Sequence, residues 1–242
     1  MIQWPPNLPN IYYQDDAVCI VHADCREILP LLPDKSVDLV LTDPPFSIPV
    51  KYEASGNEWP RSWRDLLIME PFFTIVFSQL KRVLKLGGHC YINCDAESYP
   101  IFHKIGYSLW PQSQVIVWYK PTGRRGRGWL HSYELVYHPR SSETVYTDGF
   151  RQDVIGIMPV RTLNRQHPAE KPGDLLSFLI EGCPLDSDGI ILDPFLGSGT
   201  TAACAKELGR NCIGIEIEER YCRIAADRCR QMVMPAVMKV RG

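Results

Sequence analysis

Long apolar runs are missing from this chain. Nowhere in its 242 residues is there a stretch approaching the ~18–20 consecutive apolar residues of a membrane span. The start, Met1-Ile2-Gln3-Trp4-Pro5-Pro6, lacks the basic opening and hydrophobic region of a secretory leader. Strong charge of either sign is missing too, the formal net charge being −2, so composition alone does not announce a partner. The nine cysteines include no CxxC pair, and the six histidines show no metal-ligand spacing. These absences predict a soluble, cytoplasmic protein without a zinc site or a disulfide framework, its cysteines carried as buried free thiols. Internal repeats and low-complexity segments are absent as well, and the length suits a single domain spanning 1–242.

What is present is unevenly placed. Lys120 to Arg165 carries eight basic residues against four acidic ones, +4 in a chain of −2 overall. An acidic protein with such a segment can still offer a local phosphate-facing surface. Within it, Pro121-Thr122-Gly123-Arg124-Arg125-Gly126-Arg127-Gly128-Trp129 mixes arginine, glycine and an aromatic. Arginines can contact phosphates or guanine edges, so Arg124, Arg125 and Arg127 are the candidate DNA contacts. The competing reading is a solvated basic loop.

The periodicity alternates. Val37–Leu41 is a continuous apolar run, as in a strand covered on both faces. Trp63–Leu84 reads as helix, with a break or a second start at Pro71. Gly87-Gly88 reads as its stop, before a strand at His89–Asn93. Gln114–Tyr119 reads as another strand, and Tyr133–Tyr137 with Thr144–Tyr146 as a short hairpin. Pro172–Gly182 reads as helix, Ile190–Ile215 as a β-α-β unit, and Glu218–Arg230 as an amphipathic helix. The first ten residues read as an irregular arm and residues 47–62 as a mobile loop. The whole predicts a doubly wound, mostly parallel α/β sheet.

Two segments carry the chemistry. Asp193-Pro194-Phe195-Leu196-Gly197-Ser198-Gly199-Thr200-Thr201 places a glycine-rich turn between a strand and a small-residue helix, with Glu216 ending the next strand. Glycines let a backbone approach a ligand, and a carboxylate at that position can accept hydrogen bonds from both ribose hydroxyls. No lysine follows the turn, which excludes a phosphate-cradling GxxxxGK[ST] loop. The second segment, Thr42-Asp43-Pro44-Pro45-Phe46, follows the Val37–Leu41 strand. Asp43 and the Pro44 carbonyl can accept both protons of a base amino group, making its nitrogen a better nucleophile. Pro45 helps hold that backbone rigid, and Phe46 offers a ring for stacking worth ~1–3 kcal/mol per base. Reaching such a base requires it to leave the helix. Either segment alone also reads as a plain tight turn. The pair points to methyl transfer onto a nucleobase amino group.

On these residues the chain resembles the S-adenosyl-L-methionine-dependent amino-methyltransferases of DNA, in the β-type order in which D/S-P-P-Y/F precedes F-x-G-x-G. The resemblance extends to Asp24 in His22–Leu29, to Leu84–Gly88, to Val117-Trp118-Tyr119-Lys120-Pro121 and to His167-Pro168-Ala169-Glu170-Lys171-Pro172. It implies a Rossmann-like, seven-stranded methyltransferase sheet with permuted motif order, and a small target-recognition region at 121–166. It implies S-adenosyl-L-methionine on Asp193, Phe195, Gly197, Ser198, Gly199, Thr200 and Thr201, with Glu216 at the ribose, Asp24 at the adenine and Lys171 near the methionine. Asp43, Pro44, Pro45 and Phe46 become the catalytic set, and no metal is called for. Double-stranded DNA is the implied partner, and a homodimer and a cognate restriction endonuclease are compatible with it. Phe46 stands where the family commonly has Tyr, which keeps stacking and removes a hydroxyl. Asp at the first motif position favours adenine N6 over cytosine N4. An RNA methyltransferase and an inactive DNA-binding subunit stand as remoter alternatives. The covalent cysteine route of cytosine C5 methylation lacks its usual carrier, since no Pro-Cys dipeptide occurs.

Overall fold

A computed structural model of the chain describes residues 5, 8–45, 63–124, 128–147, 151–160, 170–186 and 188–231. They form one nine-stranded sheet. In chain order the strands are β1 (Ile11–Gln14), β2 (Val18–His22), β3 (Val37–Thr42), β4 (Leu84–Cys94), β5 (Gln112–Arg124), β6 (His131–Arg140), β7 (Val154–Gly156), β8 (Ile190–Asp193) and β9 (Asn211–Glu216). Their order across the sheet is β1-β2-β9-β8-β3-β4-β6-β5-β7. From β2 to β4 every pairing is parallel, whereas β6 runs antiparallel to both β4 and β5. Removing the two edge strands, β1 antiparallel on β2 and β7 parallel on β5, leaves the expected seven.

Six helices cover the two faces: α1 (Cys25–Ile28), α2 (Trp63–Val83), α3 (Tyr99–Leu109), α4 (Gly173–Glu181), α5 (Thr200–Glu207) and α6 (Glu219–Gln231). The strands are continuously apolar because neighbouring residues serve different layers. Cys19 and Val21 join the core beneath α1, α2 and α3, while Val18 and Ile20 join the core beneath α4, α5 and α6. In β3, Val37 and Val40 belong to the first layer and Leu39 and Leu41 to the second.

Several local expectations are corrected. Helix α2 runs unbroken through Pro71. A proline costs the helix one backbone hydrogen bond, but the stripe Phe73, Val76, Phe77 and Leu80, all fully buried, anchors the turns after it. Gly87-Gly88 does not stop that helix, which ends at Val83; it lies inside β4. There the β3–β4 register slips between Val37 and Leu39, and a Cβ on Gly88 would sit 2.8 Å from the Asp38 carbonyl oxygen. Thr144–Tyr146 is not a strand. His89 Nε2 donates to the Val145 carbonyl (2.7 Å) and His138 Nε2 meets the Tyr146 hydroxyl (2.8 Å), fastening it as a loop. Strands β1 and β7 and helix α3 are additional to the expected elements; both strands are short edge pieces whose pattern is too brief to read. The segment 47–62 lies outside the described residues. Among those described, no helix is long and apolar enough to cross a membrane, no cluster is placed to hold a metal, and all nine cysteines are free and buried.

Candidate active site

Strands β8 and β3 are neighbours whose chains depart in opposite directions, β8 through α5 to β9 and β3 through α2 to β4. In open α/β sheets the crevice outside the carboxyl ends at such a switch point is where ligands bind. The two motifs occupy those two ends. Thr42 Oγ1 donates to Asp193 Oδ1 at 2.7 Å, linking them directly. Asp193 Oδ1 also accepts from the Phe195 N–H (3.1 Å), and its carboxyl is only 3% exposed. Burial pushes its titration up to about 6 against the donors Thr201, Thr42 and Phe195 N–H. Asp193 thus braces the start of the turn against the end of β3.

The turn itself is built by Gly197 and Gly199, both left-handed at φ +54° and +82°. A Cβ on Gly199 would lie 2.5 Å from Ala225 Cβ and 2.7 Å from its Cα, so only glycine lets α6 pack against the turn. Ser198 and Thr201 are buried beside it, and Thr200 opens α5 with its hydroxyl accepting from Arg228 (2.6 Å). Glu216, at the end of β9, accepts from the Gly197 N–H through one oxygen (2.7 Å) and from the Glu218 N–H through the other (2.8 Å). Burial drives its titration up to about 7, with the nearby Asp193 and Glu218 charges adding to the effect and the two N–H donors opposing it. Asp24 follows β2, the strand whose His22 is in register with Glu216. It caps α1 through the Arg26 N–H (2.8 Å) and pairs with the Arg26 guanidinium (2.6 Å). Phe195 is half-buried against Phe72, ring centroids 6.1 Å apart.

At the other motif, Asp43 leaves β3 with Pro44 buried behind it. Its Oδ2 accepts from Lys171 Nζ at 2.6 Å. Its Oδ1 is buried and has no hydrogen-bond partner among the described residues. Lys171, with a side chain only 6% exposed, also lies 3.3 Å from Glu134 Oε2, an ion-pair contact without hydrogen-bond alignment. Glu134 in turn pairs with Lys120, whose ammonium sits over the Trp118 ring at 4.5 Å. Four charges of alternating sign therefore run from β3 through the 170–172 segment to β6 and β5. Burial pushes Asp43 up, with Lys171 opposing. Burial would lower Lys171, but the two carboxylates outweigh it and hold it up. Glu134, despite its burial, is held down by Lys171 and Lys120.

Sequence reasoning found both motifs and Lys171, but not Glu134 or the Lys171–Asp43 contact. Tyr133-Glu134-Leu135-Val136-Tyr137 puts one acid in an otherwise apolar strand, and that was the available signal. Phe46, Arg125 and Arg127 lie outside the described residues. Arg124 is a backbone position at the end of β5, in register with His131. Much of 121–166 is sheet, since β6 and β7 fall within it.

The residues fit S-adenosyl-L-methionine. A buried acid, Glu216, stands at the glycine turn, where it could take a diol, and two further buried carboxyl oxygens, Glu218 Oε2 and Asp43 Oδ1, have no partner among the described residues. Comparisons agree. A family model described as DNA methylase, of the N6/N4 type, matches residues 144–227. The type II methyltransferase M.ScaI of Streptomyces caespitosus is 27% identical over 90% of this chain and 83% of its own. The PvuII DNA methyltransferase, cytosine-N4-specific, superposes with a TM-score of 0.74 at 18% identity, covering 90% of this chain and 88% of that one. An M1.HpyAVI–S-adenosyl-L-methionine complex gives 0.64 at 22%, over 87% and 98%. Family model, relative and fold converge on one class: over most of its length the chain is similar to the S-adenosyl-L-methionine-dependent DNA amino-methyltransferases, of the adenine-N6 or cytosine-N4 kind.

Proposed function

We propose that the chain methylates the N6 amino group of adenine in double-stranded DNA, acting on a flipped base by direct transfer. The observation that carries this is Asp43 Oδ1, a buried acceptor with no protein donor among the described residues, at the carboxyl end of β3 beside the glycine turn. A bound cofactor supplies an electrophilic methyl group on sulfonium. Asp43 accepts one N–H of the base amino group and the Pro44 carbonyl the other, which localises the nitrogen lone pair. The proton that the methylated amino nitrogen must give up would leave on the Asp43 side. Glu216 and Asp24 hold the nucleoside end of the cofactor, and Phe46 stacks on the base. Arg124, Arg125 and Arg127 contact the DNA.

The carboxylate at the first motif position supports adenine. The similarity to a cytosine-N4-specific enzyme at TM-score 0.74 favours the second reading, cytosine N4. The test is mass spectrometry of nucleosides from unmethylated double-stranded DNA incubated with the protein and S-adenosyl-L-methionine. 6-Methyladenine is expected; 4-methylcytosine alone would overturn the base assignment.

A further inference from the structure

The charged line behind Asp43 has a role beyond the reading above, and its argument rests on that reading of Asp43 as the acceptor of the base amino group. An isolated carboxylate buried at the end of a strand would tend to stay protonated, because burial disfavours its charged form. A protonated Asp43 would offer a donor where an acceptor is needed. Its carboxyl could also rotate, presenting either oxygen to the base.

Lys171 addresses both problems through geometry. It binds Oδ2 at 2.6 Å and leaves Oδ1 as the remaining acceptor. Its own ammonium is nearly enclosed, with a side chain 6% exposed, and the second carboxylate, Glu134, lies 3.3 Å away on β6. Glu134 is held in turn by Lys120. Strands β5 and β6 pair continuously from Gln112 to Tyr119, with Glu134 opposite Trp118, so Glu134 is set by sheet pairing and Lys120 follows where the register shifts. Lys171 thus has a strand-borne carboxylate on one side and the catalytic carboxylate on the other.

We infer that Lys171, seated between Asp43 and Glu134, is a positioning residue for methyl transfer that keeps Asp43 ionised and turns one of its oxygens toward the base. Its place beside the methionine end of the cofactor, expected from the sequence, is the competing role. Other groups facing Asp43 are Asp193 across the β3–β8 boundary and the Cys94 thiol at the end of β4, both of which interact with its charge, and Lys120 further out. Asp193 and Cys94 are unchanged in the variants below.

The test is the pH dependence of single-turnover methyl transfer, with cofactor affinity measured on the same proteins. In the wild type the rate falls as the pH drops through the Asp43 titration. Removing an ammonium that stabilises the carboxylate raises that titration, so Lys171→Met is expected to move the acidic limb to higher pH by about 1–3 pH units. Lys171→Arg, which keeps the charge, is expected to bring the limb back. Glu134→Gln removes a like charge and a competitor for the same ammonium, so the limb moves to lower pH. The dissociation constant for S-adenosyl-L-methionine stays within about threefold in all three.

An unmoved limb in Lys171→Met overturns the inference, as does a tenfold loss of cofactor affinity that saturating cofactor repairs. If Lys171→Met does not fold, Glu134→Gln decides: a limb moving to higher pH, or not moving, overturns it. Wild-type protein that yields no methylated base overturns the underlying reading, a result separate from these.

Discussion

Glu216 offers a prediction whose size follows from its surroundings. The carboxyl is 8% exposed and titrates near 7 in the folded protein against an ordinary 4.5. At pH 7, in the absence of ligand, it therefore carries about half a proton. Accepting hydrogen bonds from ribose hydroxyls requires the carboxylate, and such donors favour the charged form. Ligand binding should then expel that proton. Calorimetry in two buffers of different ionisation enthalpy reads the release directly. The ligand of choice is 5′-methylthioadenosine, which keeps the adenosine and lacks the titrating amino acid end. About half a proton should leave at pH 7, nearly one at pH 6 and almost none at pH 9, and affinity should fall up to tenfold per pH unit below 7. Asp193 titrates near 6 in the same region, so the difference between wild type and Glu216→Gln isolates the contribution of Glu216. Proton uptake, or a release identical in Glu216→Gln, would refute the ribose assignment.

The same shift has a stability consequence. Because the folded value is raised, the contribution of Glu216 to stability is fully present below about 4.5 and is lost as the pH rises through 7, in all about 3 kcal/mol. Glutamine offers one oxygen to two backbone donors, Gly197 and Glu218, which lowers stability at every pH. The readout is therefore the slope: denaturant melts of Glu216→Gln should lose the decline between pH 5 and 8 that the wild type shows.

Further perturbations test the remaining parts. Asp43→Ala should abolish transfer while cofactor affinity, measured by calorimetry, stays within several-fold; substantial remaining activity would remove Asp43 from the catalytic role. Gly199→Ala must place a Cβ 2.5 Å from Ala225 at a left-handed φ, so urea melts should show a loss of about 2–4 kcal/mol, and a loss below about 1 kcal/mol would mean the turn and α6 shift freely. Trp129 is 87% exposed at the β5–β6 connection; Trp129→Ala should weaken DNA binding in a fluorescence anisotropy titration at fixed salt, with the fold and cofactor affinity unchanged.

How much was legible depended on whether the physics was local. The strand Val37–Thr42, the Gly197–Gly199 turn and the Thr200–Glu207 helix could be read because each follows from neighbouring residues: apolar alternation between two covered faces, positive φ at glycine, small side chains at a close approach. Pro71 and Gly87-Gly88 misled for the complementary reason. The first is tolerated because Phe73, Phe77 and Leu80 are anchored by residues far along the chain, and the second answers to Asp38 on another strand. Glu134 was counted as one acid in a basic segment, although its partners Lys120, on the neighbouring strand, and Lys171, ahead of α4, are brought to it by the tertiary fold.

The same distinction bears on how the two motifs become one site. Nothing in Thr42–Pro45 or in Asp193–Thr201 encodes their proximity; they are separated by most of the chain. The parallel register of β3 with β8, Leu39 beside Ile191 and Val40 beside Leu192, brings both strand ends level, and the Thr42–Asp193 hydrogen bond closes the gap. A slip of one residue along β3 would turn Thr42 to the other face, and one along β8 would turn Asp193, parting the Asp43 segment from the glycine turn. The juxtaposition of the two motifs is therefore a property of sheet register, and Asp193, read from sequence as a cofactor contact, ties the two strand ends together through Thr42.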